Sequence, residues 1–150
     1  MNSLDTNVLI SALDEEAPGH DSAFALYRRL FNEPEGWVLA DQVLFELYRA
    51  LRNPKIFRSP LDPKTALEVV EELRNRSHAR CAAYETRQWK ELTRLLEQNA
   101  ERKGLLVFDA VLAVTLKAAG VKRFYTRNVK DFEAFGCFEA VDPPDVPETG

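Results

Sequence analysis

Residues 1–13 read M-N-S-L-D-T-N-V-L-I-S-A-L and place a short apolar strand directly before a helix. Residues 1–4 can form only a stub of strand, whereas the apolar side chains from Val8 to Leu13 recur at helical spacing. Asp5, at the junction, is the only acid in this stretch. A strand that leads straight into a helix is typical of α/β proteins, in which such pairs repeat along the chain.

The same alternation continues to residue 141. We predict further strands at 37–40, 80–84, 105–108, 122–126 and 137–141, and further helices at 20–31, 41–53, 63–76, 89–103 and 109–119. We also expect Asp41 to cap the helix that follows it. This alternation implies a mostly parallel sheet covered by helices on both faces. We predict one α/β domain over residues 1–143 and a short, acidic, flexible tail at 144–150.

The composition excludes several classes of protein. Of 150 residues, 45% are hydrophobic, which is enough for one packed core. Only two cysteines and two histidines are present, so a zinc site of the usual Cys/His type is excluded. The N-terminus lacks the basic segment of a signal peptide, and no apolar run approaches the roughly 18 residues needed to span a membrane. We therefore predict a cytoplasmic protein.

Charge is unevenly distributed along the chain. The net charge is −4, but the last 20 residues hold six acids and no base, so the first 130 hold 18 acids and 20 bases. This mildly basic body is compatible with contact to a phosphate backbone.

Polar residues follow three of the predicted strands. Asp5 follows the first strand and Asp109 follows the fourth. Asn128 and Asp131 follow the fifth. In open parallel sheets, ligands bind beyond the carboxyl ends of the strands, where the order of the strands reverses. If these strands are neighbours, the acids converge at one edge of the sheet.

Each acid also has a simpler explanation. An aspartate between a strand and a helix often caps the helix, which stabilises it by about 1 kcal/mol, and Asp131 alone is typical of a turn or cap. Capping does not, however, predict convergence at one edge. Glu46 lies at the margin of the apolar face of helix 41–53, and its alternative is a solvated side chain paired with Arg49 or Arg52.

Converging carboxylates repel one another and require a counter-charge. The usual partner of an all-oxygen set with few protein ligands is Mg²⁺ or Mn²⁺. Such ions activate water and stabilise charge on a phosphodiester during in-line displacement. The sequence has no glycine-rich phosphate loop, Ser-His-Asp set or G-x-S-x-G motif that would indicate other chemistry.

Four features occur in a specific order: D-T-N-V-L-I-S-A-L at 5–13, Glu46 in the third helix, F-D-A-V-L-A-V at 108–114 and T-R-N-V-K-D-F at 126–132. This ordered set resembles the PIN-domain ribonucleases, in particular the VapC-type toxins of prokaryotic toxin–antitoxin pairs. The resemblance covers residues 1–143. It implies a three-layer α/β/α domain, a metal-dependent endoribonuclease that uses Mg²⁺ or Mn²⁺, and a cognate antitoxin as partner.

The resemblance also implies roles for individual residues. Asp5 and Asp109 match the family's first and third acids and would be the principal metal ligands. Glu46 matches the second acid. The family's fourth acid usually lies two residues after the threonine, where this chain has Asn128. Either Asp131 supplies the missing carboxylate as a metal ligand or Asn128 orients a water molecule at the metal, and both alternatives are open.

Further residues are expected to support the site or to contact RNA. Asn7 and Thr126 resemble the family's polar supports, which hold carboxylates in place by hydrogen bonds. Candidate contacts to single-stranded or looped RNA, with solvated surface charge as the alternative, are Arg49, Arg52, Lys55, Arg58, Arg127 and Lys130.

The resemblance further predicts a homodimer with a groove for an apolar segment of the antitoxin. The chain has more aromatic residues than a small core evidently needs, although we expect most of them inside it: Phe31, Trp37, Phe45, Tyr48 and Phe57.

Two other functions are considered. A receiver-type phospho-acceptor domain would need two adjacent acids after the first strand, which Asp5-Thr6 does not supply. A catalytically weak PIN-fold interaction module is a second alternative, and Asn128 in place of the fourth acid is its best support.

Overall fold

Five short strands, all parallel, form one sheet in the computed structural model, which describes residues 1–144. The strands are β1 (Asn2–Leu4), β2 (Trp37–Ala40), β3 (Arg80–Ala82), β4 (Arg123–Tyr125) and β5 (Glu139–Val141). The helices in these residues are α1 (Thr6–Leu13), α2 (His20–Asn32), α3 (Asp41–Leu51), α4 (Pro63–Arg76), α5 (Trp89–Gln98), α6 (Val107–Ala118) and α7 (Val129–Glu133), with a 3₁₀ turn at Thr86–Gln88. The predicted α/β class and parallel sheet are confirmed.

The order of the strands, β3-β2-β1-β4-β5, reverses beside β1. From β1 the chain builds β2 and β3 on one side, and later places β4 and β5 on the other. Leu4 of β1 lies opposite Tyr125 of β4 in the parallel register. Asp5 directly follows β1 and Thr126 directly follows β4. These two residues therefore border the crevice in which parallel sheets bind ligands.

Strand β2 is a continuous apolar run because both of its faces are buried in the core. All four of its residues are buried, as expected for a strand covered on both faces. The Trp37 ring stacks on Tyr125 with 6.1 Å between ring centroids. Trp37 thus belongs to the core, whereas Phe45 is 68% exposed. The remaining aromatic residues of the set named above pack partly buried against the core: Phe31, Tyr48 and Phe57.

The predicted strand at 105–108 is wrong. Val107 begins α6, and the residues just before it form no strand. A short apolar run fits a strand or a helix equally well by periodicity, and the place beside β1 is taken by β4. Asp109 consequently lies in the first turn of α6, where a carboxylate favours the helix N-terminus. Leu106, Val107 and Phe108 are left exposed.

Smaller differences concern the ends of elements. Ala40, not Asp41, occupies the N-cap of α3, and Asp41 instead pairs with Arg74 of α4. Helix α5 ends at Gln98 rather than at 103, and the short helix α7 was not predicted from the sequence. Most of the predicted flexible tail, residues 145–150, lies outside the described residues. Within residues 1–144, no helix has the length and apolar character needed to cross a membrane.

Candidate active site

Asp5 is fixed at the carboxyl end of β1 by two hydrogen bonds to its side chain. It is the N-cap of α1, and its Oδ1 accepts from the Thr6 N–H at 2.8 Å. Its Oδ2 accepts from the Thr126 hydroxyl at 2.7 Å. The side chain is almost completely buried. Asp5 is therefore a helix cap and, at the same time, a carboxylate held across the β1–β4 crevice.

Thr126 links Asp5 to the segment after β4. Its hydroxyl is fully buried and accepts from the Asn128 N–H at 3.0 Å, so its own hydrogen is free to donate to Asp5. Asn7 acts one position further along, because its Oδ1 accepts from the Arg127 N–H at 3.3 Å. The structure thus places both predicted supports, Asn7 and Thr126, at the junction of the two strand ends.

Glu46 is held by two residues that were not predicted from the sequence. The Thr6 hydroxyl donates to Glu46 Oε2 at 2.8 Å, and Gln42 Nε2 donates to Oε1 at 3.2 Å. Gln42 also donates to the Phe108 carbonyl at 2.9 Å and so ties α3 to the first turn of α6. Gln42 lies four residues before Glu46, a helical spacing that could have indicated this pair.

The acids lie within electrostatic reach of one another. Burial raises the pKa of Asp5 to about 6, with hydrogen bonds from Thr126 and Thr6 opposing the shift and the charges of Glu46 and Asp109 adding to it. Burial likewise raises the pKa of Asp109, helped by the charges of Glu46 and Asp131. The charges of Asp5 after β1, Glu46 on α3 and Asp109 on α6 therefore act on one another, and Asp109 is placed by a helix and not by a strand end.

Asp131 and Asn128 are the two candidates for the fourth acidic position, and they differ in their contacts. Asp131, on α7, is largely exposed and accepts from Arg102 Nη2 at 3.3 Å. Asn128 is the N-cap of α7 but makes no side-chain capping bond, and its side chain is exposed. Arg102 was missed because the sequence places it in the last turn of the predicted helix 89–103, whereas α5 ends at Gln98 and leaves it in the following loop. Asp131 lies near enough to Asp109 for its charge to raise the pKa of Asp109, and Asp131 is itself paired with Arg102.

Some of the basic side chains predicted to contact RNA already have partners within the protein. Arg127 is already engaged by Asp142 at 3.1 Å and by the Gly19 carbonyl at 3.3 Å. Arg58 lies 3.7 Å from Glu16, with both side chains strongly exposed. The remaining candidates are solvent-exposed: Arg49, Arg52, Lys55 and Lys130.

The donor set fits a hard divalent cation. Within residues 1–144, no group of three or more His, Cys, Asp and Glu side chains is arranged to hold a metal ion. Mg²⁺, however, is usually bound through one or two carboxylates and several waters. Each carboxylate oxygen has two lone pairs, so Asp5 keeps acceptor capacity beside its two hydrogen bonds. Asp5 and Asp109 thus provide oxygen ligands and an excess of negative charge.

The fold and the placement of these acids define an α/β protein with an acidic site at the switch point of a parallel sheet. The chain belongs to the PIN domain family, which it matches over residues 3–136. This confirms the resemblance found in the motifs.

Individual relatives cover nearly the whole chain. It is 35% identical over 143 residues to Ribonuclease VapC24 of Mycobacterium tuberculosis H37Rv, covering 95% of this chain and 97% of that protein. Its fold is similar to that of M. tuberculosis VapC20, a sarcin-ricin loop cleaving toxin, with TM-score 0.70 and 19% identity over 95% and 100% of the two chains. It is also similar to VapBC2 from Rickettsia felis bound to promoter DNA, with TM-score 0.64 and 18% identity over 94% and 97%.

The raised pKa of Asp5 predicts a pH-dependent stability. Because this pKa is about 6 in the folded state against an ordinary 3.8, the stability linked to protonated Asp5 is complete below about pH 4 and is lost as the pH rises through about 6. Asp5→Asn has no proton to release. In metal-free urea denaturation, we expect unaltered protein to lose about 2–3 kcal/mol relative to Asp5→Asn between about pH 4 and pH 7.

Asp21→Asn is the matched control, because Asp21 is an exposed acid in the first turn of α2. It should follow the unaltered protein at every pH. Parallel curves for Asp5→Asn and the unaltered protein would contradict the presence of a buried acid without a counter-charge.

Proposed function

We propose that the chain is a metal-dependent endoribonuclease and the toxin of a type II toxin–antitoxin pair, acting in the cytoplasm. The observation that carries the proposal is the buried Asp5 carboxylate at the switch point, whose pKa is raised mainly by burial and further by the charges of Glu46 and Asp109. Membership of the PIN domain family and similarity to Ribonuclease VapC24 support RNA as the substrate.

In this proposal, Asp5 and Asp109 hold Mg²⁺ or Mn²⁺, and Asp131 is the candidate third ligand. When bound, such an ion activates water and stabilises negative charge on the phosphodiester. Glu46 completes the acidic pocket. Thr126 and Thr6 keep the carboxylates of Asp5 and Glu46 in fixed positions by hydrogen bonds. Little ordering of these side chains is then needed when the substrate arrives.

RNA would be bound mainly through its backbone. Single-stranded or looped RNA exposes the phosphodiester and is the usual accessible target. Exposed basic side chains on α3, at its C-cap and on α7 can contact flanking phosphates: Arg49, Arg52 and Lys130. Arg127 is a further candidate, and its guanidinium donates to Asp142 and to the Gly19 carbonyl.

The proposed partners are a second copy of the chain and a cognate antitoxin. The similarity to VapBC2 from Rickettsia felis supports the antitoxin. Exposed apolar side chains next to the acids in the chain support self-association. Phe45, which precedes Glu46, is 68% exposed, Phe108, which precedes Asp109, is 66% exposed, and Leu106 is 62% exposed. Gln42 brings α3 and α6 together here through its bond to the Phe108 carbonyl. Exposed patches of this kind are typical of protein interfaces.

Removing either principal acid should abolish cleavage. Asp5→Asn and Asp109→Asn each take one carboxylate from the proposed metal site, and we expect each to lower the rate of RNA cleavage with Mg²⁺ or Mn²⁺ by about 100-fold or more. EDTA should have the same effect on the unaltered protein. Circular dichroism and urea denaturation would check that both variants remain folded.

Asp21→Asn again serves as control and should cleave at the unaltered rate. Cleavage by Asp5→Asn or Asp109→Asn at that rate would show that the site is wrongly assigned. If the unaltered protein cleaves no RNA with either metal, the interaction-module alternative is favoured instead.

The fourth acid can be assigned by two single changes. We propose Asp131, because it is the only acid in T-R-N-V-K-D-F and its charge acts on Asp109. Asp131→Asn should then raise the Mn²⁺ concentration for half-maximal cleavage by about 10–100-fold, the scale of changes around a metal site. Asn128→Asp should have little effect. Tighter metal binding by Asn128→Asp, with full activity in Asp131→Asn, would assign the position to Asn128.

Self-association is tested by sedimentation equilibrium. We expect a dimer at tens of micromolar, roughly the range in which a stable interface persists. Phe45→Ser should shift the equilibrium towards monomer, because it removes the most exposed large apolar side chain of the surface. Leu67→Ser, a change of a 48% exposed apolar side chain on α4, is the control. A strict monomer at these concentrations would exclude the proposed dimer.

A further inference from the structure

Arg102, in the loop between α5 and α6, lies at the edge of the acidic site beside Asp131. Its Nη2 donates to Asp131 Oδ1 at 3.3 Å and its Nη1 donates to Asn99 Oδ1 at 3.4 Å. Its guanidinium carbon lies 5.2 Å from the centroid of the Phe135 ring. Its charge also opposes the rise in the pKa of Asp109. Among the described residues, it is the only lysine or arginine hydrogen-bonded to one of the four site acids.

The groups that hold Arg102 are themselves fixed. Phe135 is 6% exposed. Asn99 is 8% exposed and donates from Nδ2 to the Leu95 carbonyl at 2.8 Å. The arginine side chain keeps only 26% of its exposure. An aromatic face and two hydrogen bonds therefore place the guanidinium in one orientation, which reduces the loss of side-chain entropy when it binds a ligand.

The charge of the site creates a need for such a group. A phosphodiester is an anion, and Asp5, Glu46, Asp109 and Asp131 repel it. A guanidinium has five N–H donors in a rigid fork that fits a phosphate. Only two of them make the hydrogen bonds to Asp131 and Asn99. Arg102 thus has further donors beside the acids of the site.

We propose that Arg102 is a substrate-binding residue of this site and contacts an RNA phosphate beside the bond that is cleaved. The inference rests on the proposed ribonuclease function. It has a distinctive consequence, because one positive charge acts on two ligands in opposite directions. Arg102 repels a divalent cation held by the neighbouring carboxylates and attracts the phosphate. Its removal should strengthen metal binding and weaken RNA binding.

The test compares Arg102→Gln and Arg102→Lys with the unaltered full-length protein. Mn²⁺ binding is measured by electron paramagnetic resonance without RNA, and kcat and KM are measured with a fluorogenic single-stranded oligoribonucleotide at saturating Mn²⁺. For Arg102→Gln, we expect the Kd for Mn²⁺ to fall about 3-fold and KM to rise about 10-fold. The slope of log(kcat/KM) against log[salt] should become shallower by about 0.7, the value for one lost single-strand phosphate contact.

Arg102→Lys should bind Mn²⁺ like the unaltered protein and have an intermediate KM, because it keeps the charge and loses the fork. Arg123→Gln is the matched control. Arg123 is also ion-paired, with Glu139 at 3.0 Å, but it starts β4 and so lies at the opposite end of the strand from the site. It should leave both constants unchanged.

Weaker Mn²⁺ binding together with a raised KM in Arg102→Gln would indicate a purely structural role and overturn the inference. An unchanged KM and salt slope would also overturn it, while leaving the ribonuclease function intact. Failure of the proposed function is recognised separately, because the unaltered protein would then cleave no RNA with Mn²⁺, and the inference would fall with it.

Discussion

The hydrogen bond from the Thr126 hydroxyl to Asp5 joins two strand ends that are 121 residues apart in the chain. It lies where the strand order reverses, and a continuous network extends from it in both directions. On one side, the Asn128 N–H donates to the same hydroxyl. On the other, Thr6 donates its N–H to Asp5 and its hydroxyl to Glu46. Gln42 then connects Glu46 to the Phe108 carbonyl and so to α6. The network therefore connects the ends of β1 and β4 with α3 and α6 around the buried Asp5 carboxylate.

Burial of the Asp5 carboxylate lowers the stability of the fold but leaves a negative charge in place to bind a cation. Asp5 is buried with no cationic partner among residues 1–144, so its pKa rises to about 6, and near neutral pH the ionised form lowers the stability of the fold. A carboxylate that served only to cap α1 would not need burial against Thr126 or the approach of Glu46 and Asp109. Local departures from the rules of stability are common at functional sites. The site concentrates unneutralised charge where a cation can bind.

The sequence predicted those features that depend on local pattern. Asp5 could be placed because it follows an apolar strand, and the alternation of elements indicated the parallel sheet. Thr126 lay inside the predicted strand 122–126, and only the family resemblance indicated it as a support. The strand at 105–108 failed because four apolar residues carry no distinctive periodicity. Gln42 was missed because its bond to Phe108 spans 66 residues, and Thr6 because its bond to Glu46 spans 40. Arg102 was missed because its partners, Asp131 and Phe135, are defined only once α7 packs against the loop.

The position of Asp109 in the first turn of α6 separates it from the other acids in one further respect. The first N–H groups of a helix have no acceptor within the helix, so this turn opens more easily than a central strand. Here the turn is also flanked by the exposed side chains of Leu106, Val107 and Phe108. Asp5, between β1 and a buried hydroxyl, moves only when the sheet itself opens. The bond from Gln42 to the Phe108 carbonyl opposes this opening. If the turn opens, it withdraws Asp109 alone, so the completeness of the site depends on the local unfolding equilibrium of that turn.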